Sequence, residues 1–315
     1  MRELLAFGVR SFGETPAVLE LPVPSPDDAF LVRVKFAGVN PIDYKAIGGL
    51  VATSIYPHIL GIDFSGVLEL VPHMERDLHV GDRVFGEART HGSYAEYTEV
   101  EMGAAAEPVV SIPDGVSDDQ AAALPASGAA ALGSLELLGV RAGQRVLVLG
   151  GAGAVGGYAV QMAHARGAHV IATVRGDPDD AFRLGADEVY DSKTLDPVEA
   201  VQVAHPDGID AILDPISDPG AIRRGAEILR IGGNIVSTLG AADESWFAER
   251  HIRAQNITAL TNPFNSAKGL SELARMLADG VITARISASV DLKAAGDLLE
   301  RLRTGGLHGK AVIRV

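Results

Sequence analysis

The chain has no cysteine. That absence removes disulfides, thiolate nucleophiles and every cysteine-ligated zinc site at once. Nor is there an apolar run approaching the ~18 residues a membrane-spanning helix needs. The opening stretch MRELLAFGVRSFGE has no basic flank leading into an apolar segment, so no secretory leader is expected. Positive charge is scarce as well. The 27 Lys and Arg stand against 41 Asp and Glu, a formal net charge of −14, which argues against nucleic acid or an anionic membrane surface as the main partner. No internal repeat and no low-complexity linker interrupts the 315 residues. A cytoplasmic enzyme of about two domains, acting on a small molecule, is the default expectation for such a chain.

What is present is concentrated in residues 146–156, VLVLGGAGAVG, followed by GYAVQMAHARGA. An unbroken apolar run reads as a buried strand, the glycines as a tight turn, and the next stretch as a helix. In this reading Gly151 turns the chain off the strand, and Gly153 lets the backbone approach a pyrophosphate. Gly156 lets the helix pack closely on its strand, and the N–H groups of Ala154 and Val155 open the helix toward the phosphates. Glycine-rich turns have many causes, but here the strand before and the helix after are both in place. Val155, Ala159, Met162 and Ala163 recur at helical spacing and supply the face that packs on a sheet. A dinucleotide site is the expectation.

Three textures follow one another. Residues 1–117 carry short β-branched runs (Phe30–Phe36, Gly66–Val71, Val80–Phe85, Ser93–Val100) between Pro and Gly turns, which suggests a β-barrel-like domain. Residues 118–260 alternate strand and helix. The strands are placed at Arg145–Leu149, His169–Val174, Glu188–Tyr190, Ile209–Asp214, Gly233–Thr238 and Asn256–Leu260, and helices at Pro178–Leu184, Pro197–Val203 and Pro219–Leu229. Six strands with crossover helices give an α/β fold with a doubly wound parallel sheet of Rossmann type. Residues 261–315 contain helices at Ser271–Ala278 and Leu292–Arg303 and a closing strand Lys310–Val315, and are expected to complete the first domain.

The cofactor's identity is read about twenty residues beyond the last glycine, where NAD-binding sheets place an acid on the ribose 2′-OH. Counting from Gly156 reaches Thr173, Val174, Arg175 and Gly176. No carboxylate ends that strand, and a guanidinium suits a 2′-phosphate, so NADPH is expected with Arg175 as its contact. The alternative makes Arg175 a solvated charge and gives the acidic role to Asp177. Arg183 either adds a second cation or is an exposed helix residue.

Several separated motifs then align with one family: VNPIDYK (39–45), YPHILGIDFSGV (56–67), VGDRVFG (80–86), GSYAEY (92–97), AAALPASGAAAL (121–132), GGAGAVG (150–156), LGADEVYD (184–191) and GKAVIRV (309–315). In order and spacing they resemble the zinc-independent quinone oxidoreductase branch of the medium-chain dehydrogenase/reductase superfamily, over essentially the whole chain. The resemblance implies a GroES-like catalytic domain, a Rossmann domain, NADPH as reductant and a homodimer, here expected through the edge strand near Ile257–Leu260. Zinc members of the superfamily place a Cys near Asn40 and a His-Glu pair after the glycine at Gly61; this chain has Asn40, and Ile62 and Asp63. The nine histidines are scattered, and His58, His91 and His308 read as surface or packing residues, so no metal is expected.

Without a Lewis acid to activate an alcohol, the expected chemistry is hydride transfer to an acceptor that is already electrophilic. A quinone is the leading substrate, and a 2-alkenal or enone the alternative. A third reading makes the chain a non-catalytic NADPH-binding sensor. By resemblance Asn40 lies near the nicotinamide and the reacting carbonyl. Lys45 stands where many bacterial relatives have tyrosine, making it the first candidate proton donor. Tyr44 is second and solvent third. If the stretch is extended, Tyr44 and Lys45 point in opposite directions. Asp43 is expected to cap or tie the loop. Ser127 lies in the cofactor-facing LPxxGxTA-like stretch; Ala130 replaces the usual threonine, which leaves open whether Ser127 supplies a hydroxyl. Thr238, Leu239 and Gly240 follow the fifth strand, where backbone groups would hold the carboxamide. Tyr190 either stacks nearby or packs in its strand. Trp246, Phe247 and Phe264 either border a flat substrate or pack, with Leu50 and Val51 on the opposite side.

Overall fold

A computed structural model describes residues 2–47, 56–90, 92–101, 108–259 and 261–315. The chain forms two compact units, Met1–Ser127 with Asn265–Val315, and Gly128–Phe264.

The spine of the first unit is β3 (Ala29–Val39), whose apolar residues are buried along nearly its whole length. On one edge it pairs antiparallel with β5 (Asp63–Leu70), which continues into β6 (Arg83–Glu87) and β8 (Val109–Ser111). Two strands share the other edge: β7 (Tyr97–Glu101) along Ala29–Arg33, and β16 (Lys310–Arg314) along Phe36–Val39. Strand β15 (Ile286–Asp291) runs parallel to β16. A separate sheet joins β2 (Ala17–Pro22), β1 (Glu3–Val9) and β4 (His58–Ile59). The return of the chain's last segment to the first unit is therefore a strand inserted beside β3. Helix α8 (Ala267–Ala278) buries Leu270, Leu273, Ala274 and Leu277, an i, i+3, i+4, i+7 stripe. It starts one turn before the expected Ser271 because the Ser266 side chain caps it, accepting the Gly269 N–H. Helix α9 (Ala295–Arg303) follows a 3-10 turn over Leu292–Ala294, so the helix expected from Leu292 tightens in its first turn.

The segment after Asn40 departs from the expected extended stretch. Residues Pro41–Ile47 form helix α1. Proline at the first helical position is pre-set for the turn, and Asp43 Oδ2 accepts the Asn40 N–H at 2.7 Å, closing it. Helix α2 (Asp118–Ala122) and the start of α3 (Pro125–Leu138) also lie in the first unit. Ala122 and Ala123 pack there against Val312, which carries this unit past residue 117, where the sequence had drawn its boundary.

In the second unit all six strands are parallel, in the order β11-β10-β9-β12-β13-β14. These are β9 (Arg145–Val148), β10 (His169–Val174), β11 (Glu188–Asp191), β12 (Ile209–Asp214), β13 (Leu229–Ser237) and β14 (Arg253–Asn256). Reading outward from β9, the strand order reverses between β9 and β12, the arrangement of a doubly wound dinucleotide fold. Helices α4 (Ala154–Ala165), α5 (Asp179–Phe182) and α6 (Pro197–Ala204) connect strands in sequence. Leu147, Ile171, Ile212 and Ile235 from four adjacent strands share one core with Val201 of α6.

Three expectations are corrected here. The helix expected over Pro219–Leu229 is a 3-10 turn at Ile222–Glu227, and Leu229 already begins β13. At Gly225 a Cβ would stand 3.0 Å from Ile235 Cδ1, so this turn lies directly on the sheet. The sixth strand ends at Asn256 rather than beginning there, and the chain then turns, with the Thr261 N–H bonded to the Thr258 carbonyl. The dimer edge expected near Ile257–Leu260 therefore falls beyond the strand, and Leu260 itself lies outside the described residues. Trp246 and Phe247, expected in a loop beyond the fifth strand, are in helix α7 (Glu244–Ala248). Phe247 is fully buried in the sheet core, and Trp246 has the Arg250 guanidinium 3.7 Å from its ring centroid, with Arg223 at 5.1 Å. Phe264 is half-buried, while Leu50 and Val51 fall outside the described residues.

Candidate functional site

In the first unit, polar side chains converge where β3, α1, β5 and β16 meet. Lys310 opens β16 with its side chain 1% exposed. Its Nζ donates to Asn40 Oδ1 at 2.8 Å, to the Val39 carbonyl at 3.2 Å and to Ser127 Oγ at 3.3 Å, with Asp63 Oδ2 3.5 Å away. Asp63, fully buried, accepts Asn40 Nδ2 at 2.9 Å and the Ala126 N–H at 3.2 Å. Asp43 Oδ2 accepts the Tyr94 hydroxyl at 2.7 Å in addition to the Asn40 N–H. Asn40 is thus held by its backbone and by both ends of its amide. Glu87, also buried, is paired with Arg89 at 2.7 Å.

Burial shifts four of these groups, Lys310, Asp63, Asp43 and Tyr94. Desolvation pushes the Lys310 ammonium below its usual range, opposed by the charges of Asp63 and Asp43. It raises Asp63, opposed by Lys310 and by the Asn40 hydrogen bond. It pushes Asp43 up to about 7, against the hydrogen bonds from Tyr94 and Asn40. The Tyr94 phenol goes well above its usual value, through burial and then through the Asp43 charge. An ion pair so placed costs several kcal/mol per ion in desolvation and is repaid only by geometry of this quality. Its effect is to fix Asn40 in a single orientation at the start of α1. These donors do not suit a zinc ion. Thiolate and imidazole are missing, and the positive charge at the centre is already Lys310.

Of the sequence candidates, Asn40 and Ser127 come together in this cluster. Tyr44 packs instead against the apolar core that includes Leu298 and Leu299 of α9, and Lys45 is half-buried in the last turn of α1. Asp43 ties the loop as expected. Lys310, Asp63 and Tyr94 were not singled out as site residues, although two of them carried a signal. Lys310 is a cation opening the apolar run AVI, and Asp63 a lone acid inside ILGIDFSGV.

In the second unit, the glycine turn follows β9. Gly150 takes φ +66°, so the sharp turn off the strand expected at Gly151 begins at its neighbour. Gly151 is constrained by packing, since a Cβ would stand 2.7 Å from Ala172 Cβ. At Gly156 a Cβ would meet the Gly150 carbonyl oxygen at 2.1 Å, which only glycine avoids. Thr173 braces the turn: its Oγ1 accepts the Gly150 N–H at 2.9 Å and its carbonyl accepts the Gly151 N–H at 2.8 Å. Gly153, the N-cap of α4, offers no side chain to the first N–H groups of that helix, including those of Ala154 and Val155. A cradle of glycines at an uncapped N-terminus of a 12-residue helix fits a pyrophosphate.

Around it, at the carboxyl ends of the strands, stand the other candidates. Arg175 is exposed directly after β10. Asp177 Oδ1 accepts the Asp179 N–H at 3.0 Å, and Lys193 Nζ lies 4.0 Å from where a Gly176 Cβ would be. Thr238, Leu239 and Gly240 leave β13, with the Leu239 N–H held by Ser237 Oγ at 3.2 Å. Tyr190 packs in its strand, its hydroxyl donating to Glu188 Oε2 at 2.9 Å, and burial, then that hydrogen bond, raises the phenol to about 12. The histidines are not all scattered, because His169 and His205 both reach Glu188.

Residues 26–114 match the family described as alcohol dehydrogenase GroES-like domain, and residues 154–279 the one described as zinc-binding dehydrogenase. The chain is 33% identical over 263 residues to the 2-methylene-furan-3-one reductase of Solanum lycopersicum, covering 78% of this chain and 64% of that protein. It therefore spans slightly under two thirds of that relative's length. It is 30% identical over 232 residues to the quinone oxidoreductase of Pongo abelii, covering 70% of this chain and 69% of that one. Among solved structures, the quinone oxidoreductase from Coxiella burnetii superposes with a TM-score of 0.87 over 100% of both chains at 28% identity.

Proposed function

Because the chain belongs to the medium-chain dehydrogenase/reductase superfamily, in its quinone oxidoreductase-like branch, we propose that it is a zinc-independent, NADPH-dependent reductase of quinones. The observation that carries this reading is the glycine cradle at the uncapped start of α4. The reduced nicotinamide, when bound, supplies the hydride. The N–H groups of the turn and of the first turn of α4 hold the pyrophosphate. Arg175, aided by Lys193, receives the 2′-phosphate, and the engagement of Asp177 Oδ1 by the Asp179 N–H supports that choice over a ribose 2′-OH. The backbone after β13, at Thr238, Leu239 and Gly240, holds the carboxamide.

Zinc independence is supported by Lys310, which already fills the cation position among Asn40, Asp63 and Ser127. Asn40, fixed by this cluster, orients the acceptor's oxygen through its remaining amide hydrogen. Lys45 delivers the proton that follows the hydride, since the Tyr44 ring is engaged in the α9 core. Lys45→Met then lowers kcat while leaving the KM for NADPH unchanged; an unchanged kcat assigns the proton to solvent.

A second reading, reduction of a conjugated double bond, is favoured by the similarity to a 2-methylene-furan-3-one reductase, whose named substrate is an enone. Loss of reduced-cofactor absorbance decides between them, using NADPH and NADH separately against a quinone panel and a 2-alkenal panel. Turnover of NADPH by quinones supports the first reading and turnover confined to alkenals the second. Tight binding of NADPH with no turnover makes the protein a sensor.

A further inference from the structure

The second unit carries a cluster that hydride chemistry does not use. His169 is the first residue of β10, Glu188 the first of β11, and His205 follows the last residue of α6. His169 Nε2 lies 2.6 Å from Glu188 Oε1. His205 Nε2 lies 3.1 Å from the same oxygen and 3.2 Å from Oε2. One donor atom from each residue falls within 4.8 Å of the other two. The two imidazole rings meet edge to face, centroids 6.2 Å apart at 71°, each turning a nitrogen toward the same carboxylate. We propose that His169, Glu188 and His205 form a binding site for one divalent transition-metal ion of the zinc class, which joins β10, β11 and the end of α6.

Two imidazoles and a carboxylate are a donor set that zinc accepts, with bonds of about 2.0–2.2 Å, which puts neighbouring ligand atoms of a tetrahedral site roughly 3.3 Å apart. The His205–Glu188 separations are already near that value, and the His169–Glu188 separation has to open by less than about 1 Å. The surroundings supply the outer contacts such sites use to fix their ligands. The Tyr190 hydroxyl donates to Glu188 Oε2 at 2.9 Å. Asp187 Oδ2 lies 3.8 Å from His169 Nδ1, the ring nitrogen left over, and is itself fixed by the Val170 N–H at 2.7 Å. Burial is graded, with side-chain exposure of 9% for His205, 27% for Glu188 and 40% for His169, so one side stays open for a water as fourth ligand. His169 and Glu188 stand at the amino ends of their strands. A parallel sheet of this kind binds its cofactor at the carboxyl ends, so the ion's role is to fasten the fold and not to activate a substrate.

The test uses the full chain after chelator treatment and dialysis. Titration with zinc chloride, followed calorimetrically, is expected to give one ion per chain with a Kd of micromolar or below, and saturation is expected to raise the melting temperature. Cobalt(II) at the same stoichiometry gives the visible absorption of a four- or five-coordinate site. Both His205→Gln and His169→Gln are expected to weaken zinc binding at least tenfold. The second change lies at a more exposed position and keeps the test valid if the first impairs folding. Stoichiometric binding that survives both substitutions overturns the assignment, as does no binding at 100-fold excess of zinc over protein.

Discussion

Replacing Lys310 by Met isolates the buried charge at the centre of the first unit's polar cluster. Met is close to Lys in length and apolar in character, so the perturbation is the loss of an ammonium rather than of volume. Three hydrogen bonds disappear, to Asn40, Ser127 and the Val39 carbonyl. The larger effect is on Asp63, which is fully buried and keeps only the Asn40 amide and the Ala126 N–H as partners. Leaving one member of a buried pair uncompensated costs about 3–5 kcal/mol. Adding Asp63→Asn removes the orphaned charge, and the single oxygen of the new amide still accepts from Asn40, at the loss of the weaker bond from the Ala126 N–H. The double variant is therefore expected to recover about 2 kcal/mol or more of what the single one loses. Urea unfolding of the parent, both single variants and the double variant gives the coupling directly. If K310M loses under about 1 kcal/mol, or if the double variant is no more stable than K310M, Lys310 and Asp63 are not the coupled pair described here.

The same cluster predicts a pH dependence. Asp43 is pushed up to about 7 when folded, so its neutral form is favoured in the native state. Its contribution is fully present below the unfolded value of 3.8 and is lost as pH rises through 7. At about 1.36 kcal/mol per unit the loss has an upper bound of about 4 kcal/mol. Both of its hydrogen bonds fall on a single oxygen, which an amide reproduces. The stability of Asp43→Asn relative to the parent should rise between pH 4 and pH 7 and level off above, and a pH-independent difference would refute the shift. Gly156→Ala places a Cβ against the Gly150 carbonyl and should weaken NADPH binding at least tenfold by fluorescence titration, with a stability loss of about 1–3 kcal/mol. Arg175→Ala should raise the KM for NADPH about tenfold, about 1.4 kcal/mol, and leave the KM for NADH unchanged. Equal effects on both would return Arg175 to the solvated surface.

The Rossmann half was the more legible because its signals are local. β10 and β12 start and stop where apolar runs meet Gly, Asp and Arg, and the glycine turn declares itself within eleven residues of sequence. The polar cluster was hidden because it is assembled from distant segments. Lys310 and Asn40 are 270 positions apart, and nothing in either segment states that β16 lies beside β3. Helix α1 was misread for a subtler reason. Seven residues opened by proline have no room for a periodic pattern, and only the Asp43 side chain marks the turn. Trp246 and Phe247 could be read from sequence either as a substrate wall or as packing, and the choice needed the fold, in which Phe247 completes the core and Trp246 is covered by arginines.

The insertion of β16 beside β3 also sets an order of assembly during synthesis. Residues 128–264 are contiguous, so the parallel sheet can close as soon as that stretch has left the ribosome. The first unit, though made earlier, has to wait. Until residues 310–314 emerge, β3 has no partner on its second edge along Phe36–Val39, and Asp63 lacks the Lys310 ammonium. For most of the time the chain is being made, its amino-terminal half is an unfinished sheet with an open edge, the kind of species chaperones retain. Loss of residues 310–314 would leave it in that condition permanently, while the second unit remained covalently whole.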